Sequence, residues 1–207
     1  YKRQALPSVA ADLVDTYFNW RAWPNFTDRG KAPQLKKYTL EDLKPGIATP
    51  VAGTAMTVTA HPLSHGGVES TAFVIESGGE AIACLGDTGP DAVEKGTRMR
   101  DLWTAVAGPA RDKRLKALVI EVSYTSDRPD NLLFGHLTPR YVLESLRELD
   151  RLAGGNALKG LPVVISHIKY SLTRDQPQRQ VLQELEAGND LGVRFVVPEQ
   201  GTRLHFR

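Results

Sequence analysis

The sequence is short of cysteine: Cys84 stands alone among 207 residues. One thiol cannot build an internal disulfide framework or a cysteine-rich zinc site. Long apolar runs are missing as well. No stretch reaches the roughly 18 consecutive apolar residues needed to cross a bilayer, so no membrane partner is expected. An excess of one charge is also lacking, with 26 Lys and Arg against 24 Asp and Glu and a net charge of +2. Nothing in that balance draws the chain towards nucleic acid or a membrane surface. Gly86-Asp87-Thr88-Gly89-Pro90 is glycine-rich but lacks the GxxxxGK[ST] pattern of a P-loop. No GxSxG elbow occurs, which disfavours a serine hydrolase. There is no internal repeat and no low-complexity tract. The opening Tyr1-Lys2-Arg3-Gln4 has neither an initiating Met nor an apolar signal core, as expected of a processed, trimmed or partial chain.

What is present is ordinary for a globular protein: 41% apolar and 24% charged residues, enough chain for one domain with a sizeable core. A single domain over 1–207 is expected. Pro7-Ser8 followed by Val9, Leu13, Val14 and Phe18 predicts an amphipathic helix capped by Ser8. The aromatic stretch 20–26, broken by Pro24, reads as a loop at the core edge, and 27–46 as a polar surface connection. Thr57–Ala60 reads as a strand and 61–67 as a loop. Ser70–Glu76 and Ala81–Leu85 flank Gly78-Gly79 and predict a hairpin. A helix is expected over Asp91–Val106. Leu115–Val122 and Leu161–Ser166 are continuous enough in apolar residues to be buried strands. Between them, Thr138 and Pro139 predict the N-cap and first residue of a helix ending at Gly154-Gly155. Pro177–Leu185 reads as a helix and Val193–Pro198 as a last strand. Strands interleaved with helices, with polar residues where the strands stop, predict a layered α/β enzyme.

The five histidines are His61, His65, His136, His167 and His205. Taken singly, each reads as a hydrogen-bonded structural or surface residue. His65, His136, His167 and Asp87, however, all stand at ends of predicted elements, mostly beside glycine or proline. Neutral imidazole and carboxylate are what zinc and similar divalent ions take, and an Asp can bridge two ions with its two oxygens. Two bridged ions about 3.5–4 Å apart form a hydrolytic centre for phosphate esters. His61 and His205 read as structural or exposed, and Cys84 as inert core. Glu121, inside an apolar strand, is either structurally paired or orients a histidine.

Five short segments now fall into a pattern: PLSHGG at 62–67, GDTGPD at 86–91, IEVSY at 120–124, FGHLTP at 134–139 and ISHIK at 165–169. In order and spacing they resemble the class II cyclic-nucleotide phosphodiesterases, as does FNWRAWPNF at 18–26. The bacterial members look most similar, including AGNDLGVRFVVPEQG at 187–201. The resemblance implies an α/β metallo-β-lactamase-like αββα sandwich of two mixed sheets with outer helices. It implies two divalent metal ions, zinc first, with manganese or iron as alternatives. The implied reaction is hydrolysis of 3′,5′-cyclic nucleotides, cyclic AMP and in some members cyclic GMP, to 5′-nucleotides. By position, His65 resembles a ligand of one metal, Asp87 the bridging carboxylate and His167 a ligand of the other. His136 resembles a catalytic histidine near the scissile phosphate, with Glu121 and Ser64 behind or beside it. The family's HxHxDH segment is absent, since no His-x-His occurs in the chain. An N-terminally incomplete fold is therefore expected, with little activity in residues 1–207 alone. Expected partners are the cyclic nucleotide and either a second copy or an upstream fragment of the same protein, with no nucleic acid. Relatives with signal peptides point to the periplasm, the cytoplasm being the alternative. Two rival functions accompany this reading: a non-catalytic module of the same fold, and a tRNA-processing or lactone-hydrolysing relative.

Overall fold

The structure, a computed structural model, describes residues 2–170 and 176–206. Its frame is a seven-stranded mixed sheet whose strands lie side by side in chain order. These are β3 (Thr49–Pro50), β4 (Thr57–His65), β5 (Val68–Ser77), β6 (Glu80–Leu85), β7 (Leu115–Glu121), β8 (Pro162–Ser166) and β9 (Arg194–Val196). The first and last halves differ in kind. Neighbours from β3 to β6 are antiparallel, and those from β6 to β9 are parallel. The antiparallel half needs only tight turns, such as Gly78-Gly79 with φ of 58° and 83° between β5 and β6, as the hairpin reading expected. The parallel half needs crossovers, and α3 (Arg98–Arg111), α4 (Pro139–Leu152) and α5 (Pro177–Ala187) supply them.

These three helices share one face of the sheet. Leu102, Trp103 and Val106 of α3, Val142, Leu146 and Leu149 of α4, and Val181 and Leu185 of α5 bury against Leu63, Val74, Ala83, Leu118, Ile120 and Val163. The opposite face is covered at β4 and β5 by Leu6 and Leu43, which are fully buried with Val58 and Ala60. Those two leucines follow β1 (Lys2–Ala5) and β2 (Thr39–Asp42), a parallel two-stranded sheet of its own. Farther along that face Ile82, Cys84 and Val119 are only half-buried. The fold is thus α/β with mixed strands, and the second sheet is represented in the described residues by β1 and β2 alone.

Several sequence expectations are corrected in detail. Ser8 does not cap the first helix. Leu6 precedes α1 (Pro7–Asp12), Pro7 takes its first position, and the Ser8 hydroxyl bonds Glu69 instead. The supposed surface connection 27–46 contains β2, because Leu40 and Leu43 are core residues. Within the aromatic stretch Trp20 and Trp23 are exposed, and buried Asn25 ties the loop through Arg29 O and Lys31 O. Residues 61–65 are strand and not loop: β4 pairs with β5 as far as His65 opposite Val68. Because β3 reaches only Thr57 and Val58, β4 is an edge beyond them, where Pro62 is tolerated. The helix expected over Asp91–Val106 is two helices, α2 (Asp91–Glu94) and α3. Lys95, at φ 55°, ends the first, and the Asp91 carboxylate accepts from Met99 N and Arg100 N to cap the second. Thr138 stands at the N-cap of α4, but its Oγ1 is buried without a partner and caps nothing.

Candidate metal centre

Strands β4, β6, β7 and β8 run in one direction, because two antiparallel steps restore the sense of β4 in β6. Their carboxyl ends therefore lie along one edge of the sheet. His65 is the last residue of β4, Glu121 the last of β7, His167 the residue after β8, and Asp87 the second after β6. This is the edge at which open α/β sheets hold ligands.

The side chains meet there. His167 Nε2 is 3.2 Å from Asp87 Oδ2, and His65 Nε2 is 4.0 Å from the same oxygen. His65, Asp87 and one ring nitrogen of His136 offer ligand atoms within 4.8 Å of one another. The His136 ring lies between the other two, with centroids 4.6 Å from His65 and 5.2 Å from His167. His167 and Asp87 keep about two-fifths of their side-chain surface open (43% and 40%), whereas His136 keeps 5%. Two imidazoles facing a carboxylate are the donor set of a zinc-like divalent ion, so the residues present fit such a group.

Two of the rings, His65 and His136, are aimed by a second contact. His65 Nδ1 hydrogen-bonds Gly135 O at 2.8 Å, leaving Nε2 free to face Asp87. That bond requires the 134–136 loop to lie directly on the β4–β5 turn. Gly135 has φ 81°, and a Cβ there would stand 2.2 Å from Gly66 N, so only glycine fits. His167 is at φ 56° and Phe134 at φ 52°, left-handed conformations that non-glycine residues hold at a cost of about 1–3 kcal/mol.

His136 is held from both sides. Glu121, 1% exposed, lies 2.8 Å from His136 Nδ1. It also accepts from Thr88 N at 2.9 Å, Ser123 Oγ at 2.7 Å and Leu137 N at 3.4 Å. With donors on every side, Glu121 acts as acceptor throughout, so His136 donates to it from Nδ1. The remaining nitrogen, Nε2, faces Lys169 Nζ at 2.8 Å. Ser64 turns out to serve through its backbone, its carbonyl accepting from Gly89 N and Thr88 Oγ1 and so pinning the Asp87 turn. His61 is half-buried in β4, where burial lowers its pKa. His205 is exposed. Half-buried Cys84 has its thiol pKa pushed up by burial. Sequence reading passed over Lys169, Ser123 and Gly135, although all three lie within or beside the segments it singled out.

Comparison with known proteins follows the same lines. Residues 4–201 match the cAMP phosphodiesterases class-II. A 3′,5′-cyclic-nucleotide phosphodiesterase of Aliivibrio fischeri is 46% identical over 203 residues, 97% of this chain and 62% of that protein. The crystal structure of unliganded yeast PDE1 superposes with a TM-score of 0.85 at 25% identity, covering 97% of this chain and 58% of the yeast one. The metallo-beta-lactamase fold protein YhfI from Bacillus subtilis shares the fold at a TM-score of 0.52 and 13% identity, over 77% of this chain and 54% of its own. The chain thus spans about three-fifths of the relatives it matches. With its fold and the order of its strand-end residues, this places the chain in the class-II cAMP phosphodiesterase family, on the metallo-β-lactamase fold.

Proposed function

We propose that the full-length protein hydrolyses 3′,5′-cyclic nucleotides, cyclic AMP first, to 5′-nucleotides. The observation carrying this reading is the pair of histidines facing one oxygen of Asp87, with the buried Glu121–His136 pair alongside. His65, Asp87 and His167 would hold divalent ions, two of them and zinc first. When bound, such ions supply Lewis acidity and a water acidified towards neutral pH.

The chain's own residues do the rest. A P–O bond to water forms, the P–O3′ bond breaks, and a proton from water ends on O3′. Glu121 keeps His136 in one tautomer, which makes Nε2 the nitrogen that can hold or pass that proton. Gly135 and Ser64, through their carbonyls, hold His65 and the Asp87 turn in place. The low net charge supports a small substrate over a tRNA.

The test is to load the full-length protein with zinc or manganese and assay cyclic AMP, cyclic GMP, a tRNA precursor and a lactone. Turnover of cyclic AMP to 5′-AMP at an ordinary enzyme rate, about 1–10³ per second, is expected. Absence of cyclic-nucleotide turnover, with turnover of one of the others, would replace this reading.

A further inference from the structure

We propose that Lys169 is a catalytic residue of this site, its ammonium binding the phosphate group of the substrate. The inference rests on the phosphodiester reading above. Lys169 is half-buried, two residues beyond His167, and its N–H donates to Ser123 O at 3.2 Å. Its Nζ donates to His136 Nε2 at 2.8 Å and sits 5.5 Å from the Tyr124 ring centroid.

The direction of that hydrogen bond follows from the other side of the ring. Glu121 accepts the Nδ1 proton, so Nε2 presents a lone pair, and a protonated amine donates to it. Glu121, His136 and Lys169 form a line of carboxylate, imidazole and ammonium running from the protein interior to the cluster. No carboxylate among the described residues pairs with Lys169. An ammonium has three N–H donors. One is used on His136, and among the described residues no carboxylate takes the others.

A lysine held by two neutral groups beside the Asp87 cluster is arranged for an incoming anion. A phosphodiester brings one negative charge, and more develops on its oxygens as water adds. A fixed positive charge at that point binds the ground state and the transition state. The same contact explains why both nitrogens of His136 are engaged within the protein. With the Lys169 ammonium turned to the phosphate, His136 Nε2 is released to hold the leaving-group proton, so His136 belongs with the phosphate-handling residues and His65, Asp87 and His167 would hold the metal.

Lys169→Met and Lys169→Arg in the metal-loaded full-length protein test this. Calorimetry with 5′-AMP, inorganic phosphate and adenosine is combined with metal content, unfolding midpoint and cyclic AMP kinetics. Lys169→Met should keep its metals and midpoint and bind adenosine as before. It should bind 5′-AMP and phosphate about tenfold or more weakly, as loss of one charge-assisted contact implies. Its kcat should fall by roughly 10²-fold, the usual worth of one donor to a developing charge, with most of the loss restored in Lys169→Arg. Phosphate and 5′-AMP affinity within twofold of the parent would overturn the proposal, as would loss of metal or of adenosine binding, since either would make Lys169 a structural prop. A parent that binds phosphate through Lys169 without hydrolysing cyclic AMP would sink the proposed reaction and leave the lysine assignment standing.

Discussion

His167 Nε2 and His65 Nε2 approach the same atom, Asp87 Oδ2, at 3.2 and 4.0 Å. A carboxylate oxygen faced by two rings, one ending β4 and one following β8, is the point at which the site can be taken apart most cleanly. Asp87→Asn keeps the shape and removes the charge. In the full-length protein it is expected to weaken metal binding by at least about 10²-fold, more than loss of an outer-shell partner costs, with little change in unfolding midpoint measured without metal. Metal content equal to the parent's would show that Asp87 is not a ligand.

His136 separates two roles that its position alone leaves mixed, since it lies within ligand distance of His65 and Asp87. Acting on the leaving group, His136→Ala should retain its metals and lose about 10²–10⁴ in turnover. Metal analysis of the purified variant decides, because loss of metal in step with activity would make it a ligand.

Glu121 is buried and accepts from four donors. Glu121→Gln places an NH₂ group where donors already point, leaving polar groups unmatched at about 1–3 kcal/mol. A lowered unfolding midpoint is expected, together with a turnover loss of roughly 10–100-fold as His136 loses its orientation. A variant with parental midpoint and kcat would reduce Glu121 to a bystander.

His61 contributes to the acid side of the stability profile. Burial lowers its folded pKa below the ordinary 6.5, so the unfolded chain binds this proton more readily than the folded one. Its contribution is full above the unfolded value and is lost as pH falls from there through the lowered folded value. His61→Gln should therefore flatten the fall in stability below about pH 6.5, as measured by denaturant titration at several pH values. An unchanged acid limb would rule out His61 as a source of it.

Much of the fold could be read from the chain because its signals are local. The hairpin announced itself through Gly78-Gly79, and β7 and β8 through unbroken apolar runs. The misread parts depend on distant partners. Ser8 looked like a cap, but Glu69 of β5 takes its hydroxyl. The α2–α3 break is set by Asp91 reaching the start of the next helix. For the site, His65, Asp87, His136 and His167 could be singled out as strand-end or loop residues of the right chemistry. Lys169 could not, because a lysine has no spacing signature. Its meaning comes only from a ring 33 residues earlier in the chain.

Gly135 lies against Gly66 with no room for a single methyl group between them. The loop bearing His136 and the turn that follows His65 therefore meet backbone on backbone, with no side chain between to absorb a shift. Two histidines 71 positions apart in the chain are thereby spaced by glycine backbone alone, so a single added methyl at Gly135 would push them apart.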